Sequence, residues 1–94
     1  MEINIMLHLS RDDIIEKLPY DLICTTRESS VWETGKRKRA WLAQFTPEER
    51  EASADIFRRA HSMHLTKGVP ENGIVMHQKT YDLWQKIGAF CASI

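Results

Sequence analysis

Tyr20-Asp21-Leu22-Ile23-Cys24-Thr25-Thr26 is the stretch on which the fold class turns. It is rich in residues that favour extended backbone and runs into Arg27-Glu28-Ser29-Ser30, a turn-forming group, so it reads as a strand. A strand would put Tyr20, Leu22 and Cys24 together on its apolar side. Upstream, Ile3, Ile5, Leu7 and Leu9 alternate with Glu2, Asn4, Met6 and His8, the period of a half-buried strand. Between the two strands Ser10 is placed to cap a short helix. Asp12 and Asp13 sit in its first turn near the positive end of the dipole, Ile14, Ile15 and Leu18 point inward, and Pro19 ends it. Val31-Trp32-Glu33-Thr34 reads as a third, short strand.

Downstream the periodicity becomes helical. Lys36-Arg37-Lys38-Arg39 leads into a segment that places Trp41, Leu42 and Phe45 on one helical face. Thr46-Pro47-Glu48-Glu49 is a capping box with proline at the first helical position, so a helix begins there and runs to about Lys67, where Gly68 and Pro70 stop it. Its apolar stripe holds Ala52, Ile56, Ala60 and Met63, with Phe57 and His64 at the edge. Pro70-Glu71-Asn72-Gly73 forms a turn, Ile74-Val75-Met76 adds a short edge strand, and a last helix covers His77 to Ala92. Tyr81, Leu83, Trp84, Ile87, Phe90, Cys91 and Ile94 line one side of that helix. Gly88 falls inside this arc, which predicts close approach of another helix. The expected fold is α+β in a single compact domain over residues 1–94. A small N-terminal sheet of two or three strands with one short helix is followed by two long packed C-terminal helices. An all-α domain with an ordered N-terminal arm is the alternative. Ile56, Phe57, Trp84, Ile87 and Phe90 are the predicted core.

Composition narrows the function classes. The 94 residues are 43% hydrophobic and 28% charged, an ordinary globular balance, and 13 Lys plus Arg against 13 Asp plus Glu give zero formal net charge. No long-range field therefore draws the whole molecule to nucleic acid or to an anionic membrane, and any such binding must be local. The N-terminus lacks the basic region of a secretory signal, and no apolar run approaches the ~20 residues that span a bilayer. A soluble cytoplasmic protein without a membrane partner is expected. Cys24 and Cys91 have no paired spacing, which fits two buried thiols in a reducing compartment.

Candidate chemistry is sparse. His61-x-x-His64 can point two imidazoles at one metal ion, but a structural zinc needs four protein ligands. Cys24, Cys91, His8 and His77 could join only through tertiary folding, so His64 reads as a core-edge imidazole and no metal is expected. Gly35-Lys36 lacks both the upstream glycine and the following Ser or Thr of a phosphate loop. The Asp12-Asp13 and Glu48-Glu49 pairs are explained by helix dipoles. With no triad, acid and base pair or cofactor fingerprint, the expectation is a protein that is not an enzyme and carries no cofactor.

The basic run stands apart, because four cations in the opening turn of a helix oppose its dipole. Lys36, Arg37, Lys38 and Arg39, flanked by Trp32, are the predicted partner-binding residues. Helical geometry sends Lys36 and Arg39 outward and sets Arg37 and Lys38 beside the apolar stripe. A protein partner is favoured, which makes the chain a small binding protein of the regulator, inhibitor or mobile-element accessory kind. A nucleic-acid-binding module using residues 36–39 is the alternative.

Overall fold

The computed structural model describes residues 5–28 and 35–93. In chain order these form β1 (Met6–Leu9), α1 (Arg11–Lys17), α2 (Tyr20–Glu28), α3 (Gly35–Gln44), α4 (Pro47–Ser62), a 3-10 turn (His64–Thr66), β2 (Ile74–His77) and α5 (Gln78–Ser93). Among the described residues, five α-helices accompany one two-stranded antiparallel sheet, an arrangement compatible with the α+β class.

Local signals set several boundaries. Ser10 caps α1 through a reciprocal box, with the Asp13 N–H donating to its hydroxyl and its own N–H donating to the Asp13 carboxylate, both at 3.1 Å. Thr46 and Glu49 repeat the device at α4, where Pro47 occupies the first turn. Gly73, at φ 79°, closes the turn by donating its N–H to the Pro70 carbonyl.

The principal correction concerns residues 20–28, which are helical. As a helix, Tyr20, Ile23 and Cys24 fall on one face and all three are buried, whereas a strand would have sent Ile23 to the opposite side from its neighbours. Burying one full face outweighs the weaker β preference of the Ile and Thr residues. The Thr25 hydroxyl donates back to the carbonyls of Asp21 and Leu22, so its polar group is satisfied within the helix. Leu22, expected inside, is exposed.

The sheet also differs from the expected N-terminal meander. β1 pairs with β2 from the far part of the chain, in the register Met6 to His77, Leu7 to Met76, His8 to Val75 and Leu9 to Ile74. Leu9 and Met76 are buried. Ile5, expected on the buried side, is exposed because the ladder ends at Met6; beyond it the Gln78 N–H that opens α5 donates to the Ile5 carbonyl. The proposed third strand at Val31–Thr34 lies outside the described residues.

α4 and α5 are 16 residues each. Each packs more extensively on α2 than on the other, so α2 is the central helix. α4 ends at Ser62, short of Lys67, because Leu65 and Thr66 adopt positive φ. α2 supports this left-handed turn. The Leu65 N–H donates to the Asp21 carboxylate at 2.9 Å, and the Tyr20 hydroxyl lies 3.0 Å from that of Thr66. Ile56, Trp84, Ile87 and Phe90 are core residues as expected, while Phe57 is only half-buried. Along the α4 stripe Ser53 is buried where Ala52 was expected, its hydroxyl bonded to the Arg50 carbonyl. Ile15 is exposed although Ile14 and Leu18 are buried.

Gly88 does permit a close approach, but of the Pro19 ring between α1 and α2 rather than of another helix. A Cβ at this position would sit 2.5 Å from Pro19 Cγ and 2.9 Å from its Cβ. Because a ring cannot swing aside as a long side chain does, Gly88→Ala is expected to lower stability by about 1 to 3 kcal/mol in urea denaturation.

Candidate functional site

Among the described residues, α3 packs on the core through its C-terminal half. None of residues 35–44 is fully buried; Ala40 and Trp41 pack partly against the core and Phe45, just beyond the helix, is buried. Trp41 lies 4.2 Å from Phe45, 5.8 Å from Phe57 and 5.6 Å from Phe90, measured between ring centroids, and Phe45 meets Phe90 edge-on. The Lys86 ammonium sits 4.6 Å from the centre of the Phe45 ring. Arg50 completes the anchor by donating to the carbonyls of Leu42 and Phe45 at 3.3 and 2.6 Å, which satisfies the C-terminal end of α3.

The first turns of α3 project from this anchor. Lys36, Lys38 and Arg39 are exposed and Arg37 is half-buried, so the structure turns Lys38 outward where helical geometry had set it beside the apolar stripe. The first turn carries no acidic residue. Leu42, expected in the buried stripe, is 51% exposed. It lies four residues after Lys38 and three after Arg39, which places all three on one outward face. The apolar member of this face was missed because Leu42 neighbours Trp41 in sequence; only the direction of docking shows which of the two turns inward. Trp32 lies outside the described residues.

A second grouping joins residues that sequence spacing left apart. Because 20–28 is a helix, Asp21 and Cys24 stand one turn apart on the side facing α4. Cys24 Sγ is 3.8 Å from His61 Nδ1, and the Asp21 carboxylate is 3.6 Å from His64 Nδ1. Cys24 is buried, Asp21 and His64 are half-buried, and His61 is exposed. As they stand, no group of three His, Cys, Asp or Glu side chains among the described residues is close enough to hold a metal ion. Asp21 was missed because the strand reading gave it no relation to Cys24. Cys91 is buried, which pushes its thiol up to about 11 against the opposing effect of a Thr26 hydrogen bond, so it is a neutral thiol at physiological pH. Neither cysteine forms a disulfide.

A groove of about 360 Å³ between α4 and α5 is lined by Glu48, Glu49, Ala52, Lys79, Asp82 and Leu83, with Thr80. Two of its acids, Glu49 and Asp82, have structural duties. Glu49 accepts the Thr46 N–H at 2.9 Å and the Lys86 ammonium at 2.9 Å, and Asp82 accepts a Gln78 amide hydrogen bond. The Thr46 backbone, then Lys86, hold the Glu49 carboxyl below its ordinary value of 4.5. A carboxyl depressed on folding contributes stability that is present above its unfolded value and lost as pH falls through the lower folded one. Glu49→Gln should therefore narrow its stability difference from the wild type below about pH 4.5, a trend readable from denaturant midpoints across pH.

No described helix is long and apolar enough to cross a membrane. In comparisons with known proteins the chain matches no family model, no curated protein and no solved structure.

Proposed function

We propose that the chain is a small non-enzymatic binding protein, of the regulator, inhibitor or mobile-element accessory kind, that engages a protein partner through the outward face of α3. The observation that carries this reading is the half-exposed Leu42 one turn from the exposed Lys38 and Arg39, on a helix none of whose residues is fully buried. An apolar side chain beside two cations suits an acidic protein surface with an apolar recess, since interfaces concentrate affinity in a desolvated centre with a charged rim. Lys36 extends the charged edge, Arg37 borders the anchor, and Trp32 adjoins them in sequence. The alternative, nucleic-acid binding by Lys36, Arg37, Lys38 and Arg39, uses the same charges but gives Leu42 no role, and zero net charge supplies no steering. The reading retains the α+β assignment, with α4 and α5 as the two long helices of the C-terminal half. A cytoplasmic setting fits two buried cysteines without a disulfide.

The test compares wild type, a variant with Lys36, Arg37, Lys38 and Arg39 all replaced by Gln, and Leu42→Ser. Relief of repulsion at the helix N-terminus should leave the four-Gln thermal midpoint unchanged or slightly raised. Partners captured from the native host and cross-linked to α3 should be lost by both variants. Duplex and single-stranded oligonucleotides are titrated in parallel. Binding that falls steeply with salt and ignores Leu42→Ser would establish the nucleic-acid alternative. Retention of every partner by the four-Gln variant would reduce the basic run to a solvated face.

A further inference from the structure

We propose that the groove between α4 and α5 receives α3 of a second copy of this chain, so that the protein associates with itself. The inference rests on the reading of α3 as a protein-binding face and names the partner. On α3, Leu42 is 51% exposed one turn from Lys38 and Arg39, and neither cation makes an ion pair among the described residues. In the groove, Glu48 from the first turn of α4 and Asp82 from α5 stand with Ala52 and Leu83. Glu48 has no ion-pair or hydrogen-bond partner among the described residues, and Asp82 accepts an uncharged amide from Gln78. The remaining charges of the lining are occupied: Glu49 is neutralised by Lys86 at 2.9 Å, and Lys79 has an interaction of its own. Two cations beside an exposed leucine on one surface therefore match two carboxylates beside apolar side chains on the other.

The chain's own α3 does not fill the groove. Trp41 is packed against Phe45, Phe57 and Phe90, Arg50 holds the carbonyls of Leu42 and Phe45, and no residue of α3 lines the groove. A second copy brings the same face without that tether. Zero formal net charge leaves no overall repulsion between copies, which favours association of a chain whose uncompensated cations and carboxylates lie on separate surfaces. Each copy carries both surfaces, so pairing about a two-fold axis forms both contacts at once. A nucleic acid has no use for the groove, whose free carboxylates repel phosphates.

The test is sedimentation of the purified chain up to about 1 mM protein. At about 0.1 M salt, where charges act over about 10 Å, the expected result is a dimer with a dissociation constant of about 0.1 mM or tighter; at about 1 M salt, where that range falls to about 3 Å, the dimer should weaken. Two charge-swapped variants, Lys38→Glu with Arg39→Glu and Glu48→Lys with Asp82→Lys, should each self-associate at least tenfold more weakly. Mixed together they should pair again, because each then offers the other an opposite charge at both contacts. Leu42→Ser should weaken the dimer at 0.1 M salt as well. Circular dichroism of each variant separates loss of contact from loss of fold. A wild type that stays monomeric overturns the proposal; if α3 still captures a host protein, the reading of α3 stands and a different chain covers it. A dimer lost on swapping α3 but kept on swapping the groove overturns the proposal too, since α3 then docks elsewhere. So does a dimer that both folded variants retain.

Discussion

Replacing Trp84 with Ala is expected to lower the free energy of unfolding by about 3 to 5 kcal/mol, a large share of the roughly 5 to 15 kcal/mol that holds a domain together. Trp84 is fully buried on α5, beside the equally buried Ile87, so truncation opens a cavity that the surrounding helices can close only in part. Its indole N–H is buried without a hydrogen-bond partner. Trp84→Phe removes that unpaired donor while keeping most of the ring volume, so it should cost clearly less than Ala. Urea denaturation of the three proteins decides the matter. An Ala variant within about 1 kcal/mol of wild type would show that α5 does not carry the core.

Ile23→Ala is expected to cost about 2 to 5 kcal/mol, and Leu22→Ala under about 1 kcal/mol. Ile23 is fully buried on α2, the helix that packs against both α4 and α5, whereas Leu22 is 39% exposed. The pair distinguishes helix from strand directly. A strand through Tyr20–Thr26 would bury Leu22 with Tyr20 and Cys24 and turn Ile23 away, which reverses the order of the two effects. Equilibrium unfolding of the single variants, with far-ultraviolet circular dichroism to confirm helix content, reads the order without reference to coordinates.

These two positions mark where local reading succeeds and where it stops. On α5 a 3.6-residue period runs across four turns, and Trp84, Ile87 and Phe90 are buried as that period requires. On α2 the apolar residues are few, and both Leu22 and Ile23 are apolar, so alternation and helical spacing compete over the same seven positions. Intrinsic preference between strand and helix differs by only fractions of a kcal/mol per residue. Burying Ile23 with Tyr20 and Cys24 is worth more than that difference, and the surface available to receive them belongs to α4 and α5, far along the chain.

The candidate site divides in the same way. The cluster Lys36 to Arg39 can be read at once because it is contiguous, but the face it forms depends on how α3 docks. Trp41 inserts among Phe45, Phe57 and Phe90, and that choice turns Leu42 outward. His61 and His64 are visible as a spaced pair, yet Cys24 and Asp21 reach them only after α2 folds against α4.

By itself, then, the chain determined the helix starts at Ser10 and Thr46, the turn at Gly73 and the buried stripe of α5. Each rests on hydrogen bonds or periodicity that close within a few residues. Only the tertiary structure decided that Tyr20–Glu28 is a helix, that β1 pairs with β2 across the length of the chain, and which of Trp41 and Leu42 faces solvent. Those choices were settled by which distant surface could exclude water from a given side chain, a property of the assembled core that no short window of sequence contains.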